Sequence, residues 1–106
     1  MIVRADLGPA NAAVQAAHAV LEAVRAGVVD PAIPAHPNFV LLAVPDLSAL
    51  LAAADRLARA GVAFHPWSDS LFPGGPTALC TGPLTGDRRK PLRRYPLFEV
   101  PTCPKS

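Results

Sequence analysis

The stretch that decides the fold is Gly8–Ala19, which reads Gly-Pro-Ala-Asn-Ala-Ala-Val-Gln-Ala-Ala-His-Ala. Pro9 suits the first position of a helix, where its missing N–H costs nothing, and Gly27 suits the left-handed position that follows a helix end. The sequence therefore predicts a helix over residues 9–26. Most of its circumference is Ala, Val and Leu, so this helix must be buried over most of its surface.

One polar stripe runs along this apolar helix. Its members recur at helical spacing and share one face, and they are Asn11, Gln15, His18, Glu22 and Arg25. Such a stripe is either the solvent face or part of a site. The strand-like run of residues 1–7 leads directly into the helix, and ligands of open α/β sheets bind where a strand meets the helix that follows it. This position favours the site.

The rest of the chain continues the alternation of strand and helix. In order, it predicts a proline-rich connection (28–37), a strand (38–44), a helix capped by Asp46 and stopped by Gly61, a strand (62–66), a turn-rich loop (67–76) and a strand (77–81). This order predicts an α/β domain of two or three layers with a mostly parallel sheet. Residues 96–98 are apolar enough to dock back on the core, and residues 99–106 form an irregular, proline-rich tail.

Length and composition limit the class of protein. A chain of 106 residues with 51% hydrophobic and 17% charged residues is expected to form one folded domain, here residues 1–98. It has no apolar run of about 18 residues that would span a bilayer. It also shows no basic region followed by an apolar core, the pattern of a secretory signal. We therefore expect a cytoplasmic protein without membrane contact.

Cysteines and histidines give no metal pattern. Cys80 falls in a predicted strand and Cys103 in the tail, so a reduced, buried Cys80 is favoured, although a bridge between the two stays open. The three histidines, His18, His36 and His65, are far apart, and no Cys-x-x-Cys or His-Glu-x-x-His motif occurs. We expect no metal and no cofactor.

Charge is distributed unevenly along the chain. The balance is −3 through Asp87 and +5 from Arg88 onward. Five basic residues fall within seven positions, namely Arg88, Arg89, Lys90, Arg93 and Arg94. This cluster is either a solvated face or a surface that neutralises nucleic-acid phosphates.

Asp69 is the candidate functional acid. It is the only carboxylate between Asp55 and Asp87, and it lies in a Gly/Pro-rich loop after a predicted strand. The alternative is an Asx turn. Its neighbour Trp67 either stacks on a base or packs in the core, and Asp6 either holds the loop at Gly8 or pairs with Arg4.

Several of these motifs together resemble the type 2 peptidyl-tRNA hydrolase family. That family begins with Val-Arg-x-Asp-Leu, Gly-Lys-Gly-Lys and Ala-Ala-Gln-x-x-His-Ala, and this chain has residues 2–8 and 15–19 in the same order. Asp69 and the run of residues 77–83, which ends in Gly-Pro, extend the match over most of residues 1–98.

The resemblance implies a four-stranded mixed sheet flanked by helices and an enzyme that hydrolyses the ester of peptidyl-tRNA or a related aminoacyl or peptidyl ester. Asp69 would position water, Gln15 and Asn11 would donate hydrogen bonds, and His18 would act as acid or base unless it is a core residue. The arginine-rich cluster would contact tRNA or peptidyl-tRNA, the expected partner, and a homodimer is kept as an option.

Two departures from the family pattern leave other functions open. Pro9 and Asn11 stand where the family has lysines, and the loop after Asp69 is shorter and lacks the usual threonine. A non-catalytic module that binds tRNA, a nucleotide or a protein is the first alternative. A related scaffold that acts on a small molecule is the second. Replacement of the missing charge by Lys90 or by an arginine of the tail is an option that the sequence alone does not decide.

Overall fold

The structure, a computed structural model, describes residues 1–32 and 39–99. In chain order its elements are β1 (Ile2–Arg4), a 3-10 helix (Ala5–Leu7), α1 (Pro9–Arg25), β2 (Leu42–Val44), α2 (Leu47–Arg59), β3 (Phe64–Trp67), β4 (Ala78–Thr81) and a second 3-10 helix (Gly86–Leu92). The predictions for His36, Asn38 and Cys103, and for most of the 28–37 connection and the 99–106 tail, fall outside the described residues.

Both long helices begin and end where their terminal residues predict. Pro9 occupies the first turn of α1, and Gly27 follows the helix with a φ of +79°. The Asp46 carboxylate caps α2 by accepting the N–H of Ala49 at 2.9 Å, and Gly61 has a φ of +71° after its end. Neither helix, nor any other in the part of the chain described, is long and apolar enough to cross a membrane.

The four strands form one mixed sheet in the order β2-β1-β4-β3. Strands β1 and β2 are parallel, whereas β4 is antiparallel to both of its neighbours, β1 and β3. The mixed sheet confirms the architecture that the resemblance implied. The mostly parallel sheet expected from the alternation is wrong, because β3 returns to β4 through a loop, and a short loop joins antiparallel neighbours.

Strand lengths also differ from the sequence prediction. Strand β2 covers only Leu42–Val44, and Phe39 and Val40, which were expected inside a buried strand, are exposed. Strand β3 begins two residues later than predicted and includes Trp67. Apolar character alone did not separate the paired residues from those that flank them.

Helices α1 and α2 cover opposite faces of the sheet, so the molecule has three layers. Side chains alternate along β1, with Ile2 in the core beneath α2 and Val3 in the core beneath α1. The α2-side core contains Leu50, Leu57 and Leu79 among its buried residues. The α1-side core consists mostly of small side chains, which allows α1 to lie close to the sheet: Val3, Ala12, Ala19, Ala23, Val29, Ala78 and Cys80.

The segment after β4 folds back across the α2 side and reaches the free edge of β2. Leu92 and Tyr95 pack against the α2-side core. The Pro96 carbonyl then accepts the N–H of Ala43 at 2.9 Å, and the N–H of Phe98 donates to Leu41 at 2.8 Å. Residues 96–98 thus return to the domain through main-chain bonds to β2 and the packing of Phe98, whereas Leu97, which was expected to dock on the core, is exposed. Pro66 lies in the opposite edge strand, β3, and offers no N–H for pairing.

Candidate functional site

The candidate site lies at one edge of the sheet. Strands β1, β2 and β3 all run in the same direction, so their carboxyl ends meet at this edge together with the first turns of α1 and α2. The loop between β3 and β4 carries Asp69 across the same edge. Gly75 of this loop lies against Leu47 at the start of α2, and a Cβ added there would meet the Leu47 side chain at 2.9 Å.

Gln15 is the buried centre of the site, although it belongs to the polar stripe of α1. Its residue exposure is only 2%. Its Oε1 accepts hydrogen bonds from the Thr77 hydroxyl at 2.6 Å and from the Trp67 indole N–H at 3.0 Å. Its Nε2 donates to Oδ2 of Asp69 at 2.9 Å. The interpretation of the stripe as a uniform solvent face is therefore wrong at this position.

The orientation of the Gln15 amide is fixed by its neighbours. An indole N–H can only donate, so the amide atom that faces Trp67 must be the oxygen. The amide nitrogen then has to face Asp69. Since Ala12, Ala16 and Ala19 let α1 approach the sheet closely, the amide reaches Thr77, which immediately precedes β4.

Asp69 is a half-buried carboxylate with one hydrogen bond to each oxygen. Its Oδ1 accepts the N–H of Leu71 at 2.9 Å, which makes the Asx turn that was the alternative interpretation. That bond, together with the bond from Gln15 and the nearby His18, holds the pKa of Asp69 below its ordinary value of 3.8. The same side chain thus shapes its loop and presents an ionised carboxylate at the sheet edge.

His18 and Trp67 form a stacked pair beside this carboxylate. Their ring centroids are 5.0 Å apart and their planes differ by 13°. His18 is exposed, so its interpretation as a core histidine is wrong. Trp67 is half-buried and uses its N–H for Gln15, which leaves the outer part of the aromatic pair accessible.

Asn11 is not part of the Gln15–Asp69 network. It is exposed one turn before Gln15, and its Nδ2 donates to the Leu7 carbonyl at 3.0 Å. This bond ties the first 3-10 helix to α1. Asp6, for its part, pairs with Arg4 at 2.8 Å, which decides between the two roles expected for it, and this bond keeps the pKa of Asp6 below its ordinary value.

Lys90, one of the predicted RNA-binding residues, lies elsewhere on the molecule. Lys90 and Pro91 share a surface depression with the last turns of α2, which includes Arg56 and Arg59. Helix α2 starts at the candidate edge and runs away from it, so this depression is toward the opposite edge. In the described ranges, 1–32 and 39–99, no lysine or arginine forms an ion pair with Asp69. Lys90 therefore does not replace the missing charge.

Thr77 and the indole N–H of Trp67 are functional groups that the sequence did not reveal. Thr77 was assigned only to a strand, yet it is fully buried and its hydroxyl fixes Gln15. The available signal was a polar residue at the start of an otherwise apolar run, Ala78–Cys80. That signal is weak because threonine is common in strands for steric reasons alone.

Cys80 is a buried free thiol in the α1-side core, and burial raises its pKa. It therefore packs as a small apolar side chain. Nowhere in the described part of the chain do three His, Cys, Asp or Glu side chains come together as metal ligands would.

Comparison with known proteins leaves the site to be interpreted from its own chemistry. No family model, no curated protein and no solved structure matches this chain.

Proposed function

We propose that the chain is a hydrolase of the ester that joins a peptide or amino acid to tRNA, or of a closely related ester. The hydrogen bond between Gln15 and Asp69 is the observation that carries the proposal, because it unites the two strongest sequence candidates at the sheet edge. The resemblance to type 2 peptidyl-tRNA hydrolases supplies the substrate class, and the assignment of this fold to that family belongs to the proposal.

In the proposed reaction, Asp69 orients the attacking water. A carboxylate with a lowered pKa is a weak base, but it is fully ionised at neutral pH and accepts a hydrogen bond from water strongly. Water adds to the ester carbonyl, the bond from that carbon to the ribose oxygen breaks, and the ribose oxygen takes up a proton. His18 lies near Asp69, and an imidazole can both accept and donate a proton, so His18 is assigned the proton transfer.

The developing oxyanion requires donors at the same edge. Gln15 uses one amide hydrogen for Asp69 and keeps a second, and the first turn of α1 has unpaired backbone N–H groups that favour negative charge. The proposal assigns these groups to the oxyanion. It places the reaction in the cytoplasm, where peptidyl-tRNA forms, with tRNA as partner and without a metal.

A non-catalytic binding module is the second candidate, and one observation favours it. Asn11 stands where the family has a lysine, and its amide is bonded to Leu7 rather than directed at the site. With no cation paired to Asp69 among the described side chains, the site lacks a charge that would stabilise the oxyanion. A module would keep the fold and the tRNA contact while losing turnover.

Turnover of peptidyl-tRNA by wild type and by Asp69→Ala separates the two candidates. Asp30→Ala is a matched control, because Asp30 also accepts the N–H of the residue two positions later, at 2.8 Å, in an exposed turn. If the chain is a hydrolase, Asp69→Ala is expected to lower kcat by about 10²–10⁴-fold and Asp30→Ala is expected to leave it unchanged. Salt-sensitive tRNA binding without turnover in any variant would instead establish the binding module.

A further inference from the structure

We propose that Arg56 and Arg59 of α2 join the basic segment 88–94 to form one phosphate-binding surface, which holds the body of an RNA away from Asp69. This inference rests on the proposed function for the choice of RNA as the polyanion. The sequence separates the two arginines from the segment by about thirty positions, so only the folded chain unites them.

The basic segment lies next to the end of α2. Lys90 and Pro91 line the same depression as Arg56 and Arg59, which belong to the last two turns of that helix. Leu92, next along the chain, packs against the α2-side core. The basic segment is therefore fastened alongside α2, and its charges add to those of the helix on one face of the molecule.

The combined surface is strongly basic. It holds seven of the ten basic residues of the chain and two of the eight acidic ones, Asp55 and Asp87, which gives a net charge of +5. The rest of the chain has a balance of −3. The two acids pair with Arg59 at 3.1 Å and with Lys90 at 3.6 Å, and all four side chains are more than half exposed. Such surface pairs are weak and leave the cations available to phosphates.

The basic surface is distant from Asp69. The loop that carries Asp69 lies against Leu47, the first residue of α2, whereas Arg56 and Arg59 lie nine and twelve residues further along that helix. At 1.5 Å per residue this separation is about 14–18 Å along the axis. An RNA held at the basic surface must therefore reach Asp69 with an extended end. The single-stranded 3′ end of a tRNA meets that requirement.

Equilibrium binding of uncharged tRNA to the full chain, measured by fluorescence anisotropy over a range of salt concentrations, tests the surface without relying on turnover. Arg56→Ala/Arg59→Ala is expected to weaken binding and to reduce the slope of log K against log salt by about two, close to one for each phosphate contact removed. Arg56→Lys/Arg59→Lys keeps both charges and is expected to keep the slope.

Arg25→Ala is the matched control. It removes an arginine that is 66% exposed and paired with Glu22 on α1, which covers the other face of the sheet. An equal loss of slope per arginine removed in this control would overturn the proposal, since net charge alone would then explain the binding. An unchanged slope in the double alanine variant, with wild-type circular dichroism, would overturn it as well.

Binding of tRNA and cleavage of an ester are measured separately, so the basic surface and the hydrolase proposal can fail independently. If the wild type cleaves a minimal peptidyl-adenosine ester but does not bind tRNA at low salt, the surface is overturned and the hydrolase stands. If tRNA binding depends on Arg56 and Arg59 but no ester is cleaved, the surface stands and the hydrolase fails. Tighter binding to phosphatidylserine/phosphatidylcholine vesicles than to tRNA at equal salt would assign the surface to a membrane and overturn the RNA proposal.

Discussion

The Nε2 of Gln15 donates to Oδ2 of Asp69 across 2.9 Å, although the two residues are 54 positions apart in the chain. This bond joins the middle of α1 to the loop between β3 and β4. It forms only when α1 is packed on the sheet and the loop has turned back across its edge. The position of Oδ2, and the part of the lowered pKa that Gln15 causes, therefore depend on the complete fold, and they can be tested by changing the residues that surround the carboxylate.

Replacing Gln15 by Leu is expected to raise the pKa of Asp69, because the carboxylate loses a donor that stabilises its charged form. The variant also leaves the Trp67 indole N–H without its acceptor and should lower the free energy of unfolding by about 1–3 kcal/mol. An NMR pH titration of the carboxyl carbon and urea denaturation measure the two effects. Asn11→Leu is the control, and a pKa of Asp69 that is the same in wild type and Gln15→Leu would contradict the prediction.

Thr77→Val should destabilise the protein by about 1 kcal/mol, since it removes a hydroxyl donor from Gln15 at a fully buried position while keeping the volume of the side chain. Thr77→Ser keeps the hydroxyl but loses a methyl group. If the hydrogen bond from Thr77 to Gln15 helps to keep the pKa of Asp69 low, Thr77→Ser has the wild-type pKa of Asp69 and Thr77→Val does not. Titration of Asp69 in the two variants is the measurement, and identical pKa values in both would refute the role assigned to Thr77.

The pH dependence of hydrolysis should show no acidic limb from Asp69 above about pH 4. The folded-state pKa of this group is lowered from 3.8, so its contribution to stability is complete above that value and is lost as the pH falls through the folded-state pKa. A pH–rate profile of wild type and Gln15→Leu checks this, because the limb should move upward in the variant. An acidic limb that does not move in Gln15→Leu would contradict its assignment to Asp69.

Asp46→Ala should lower stability by about 1 kcal/mol, because its carboxylate caps the first turn of α2 through the N–H of Ala49. Ser48→Ala is a suitable control, since Ser48 lies exposed in the same turn and the cap is made by Asp46. Thermal unfolding followed by circular dichroism distinguishes the two. Equal midpoints for both variants would show that the cap contributes nothing measurable.

Local chemistry explains which parts of the fold were predictable. The ends of α1 and α2 follow from Pro9, Gly27, Asp46 and Gly61, whose effects act within one turn and need no tertiary contact. Strand direction did not follow. The loop after β3 returns the chain antiparallel, but the position of β4 between β1 and β3 depends on which edge of β1 is free, and that is decided by the path of the whole chain.

The same distinction applies to the site. Gln15 and Asp69 were identified from their residue types and their places at strand and helix junctions, and the structure brings them into contact, whereas Asn11 bonds to Leu7 instead. The role of Thr77 was missed because it depends on how closely α1 approaches the sheet, a distance set by the alanines beneath the helix. The sequence could not show whether Lys90 reaches Asp69, because it does not reveal which face the segment after β4 crosses, and the structure places Lys90 beside the last turns of α2.

The pairing of residues 96–98 with β2 has a consequence for how this small sheet behaves in a crowded solution. An uncovered edge strand offers a row of unpaired N–H and C=O groups, with which strands of other chains can pair to form fibres. Here residues 96–98 cover the edge of β2, while Pro66 interrupts the row of N–H groups along the opposite edge strand, β3. Loss of that segment would therefore convert a self-limiting fold into a template for polymerisation.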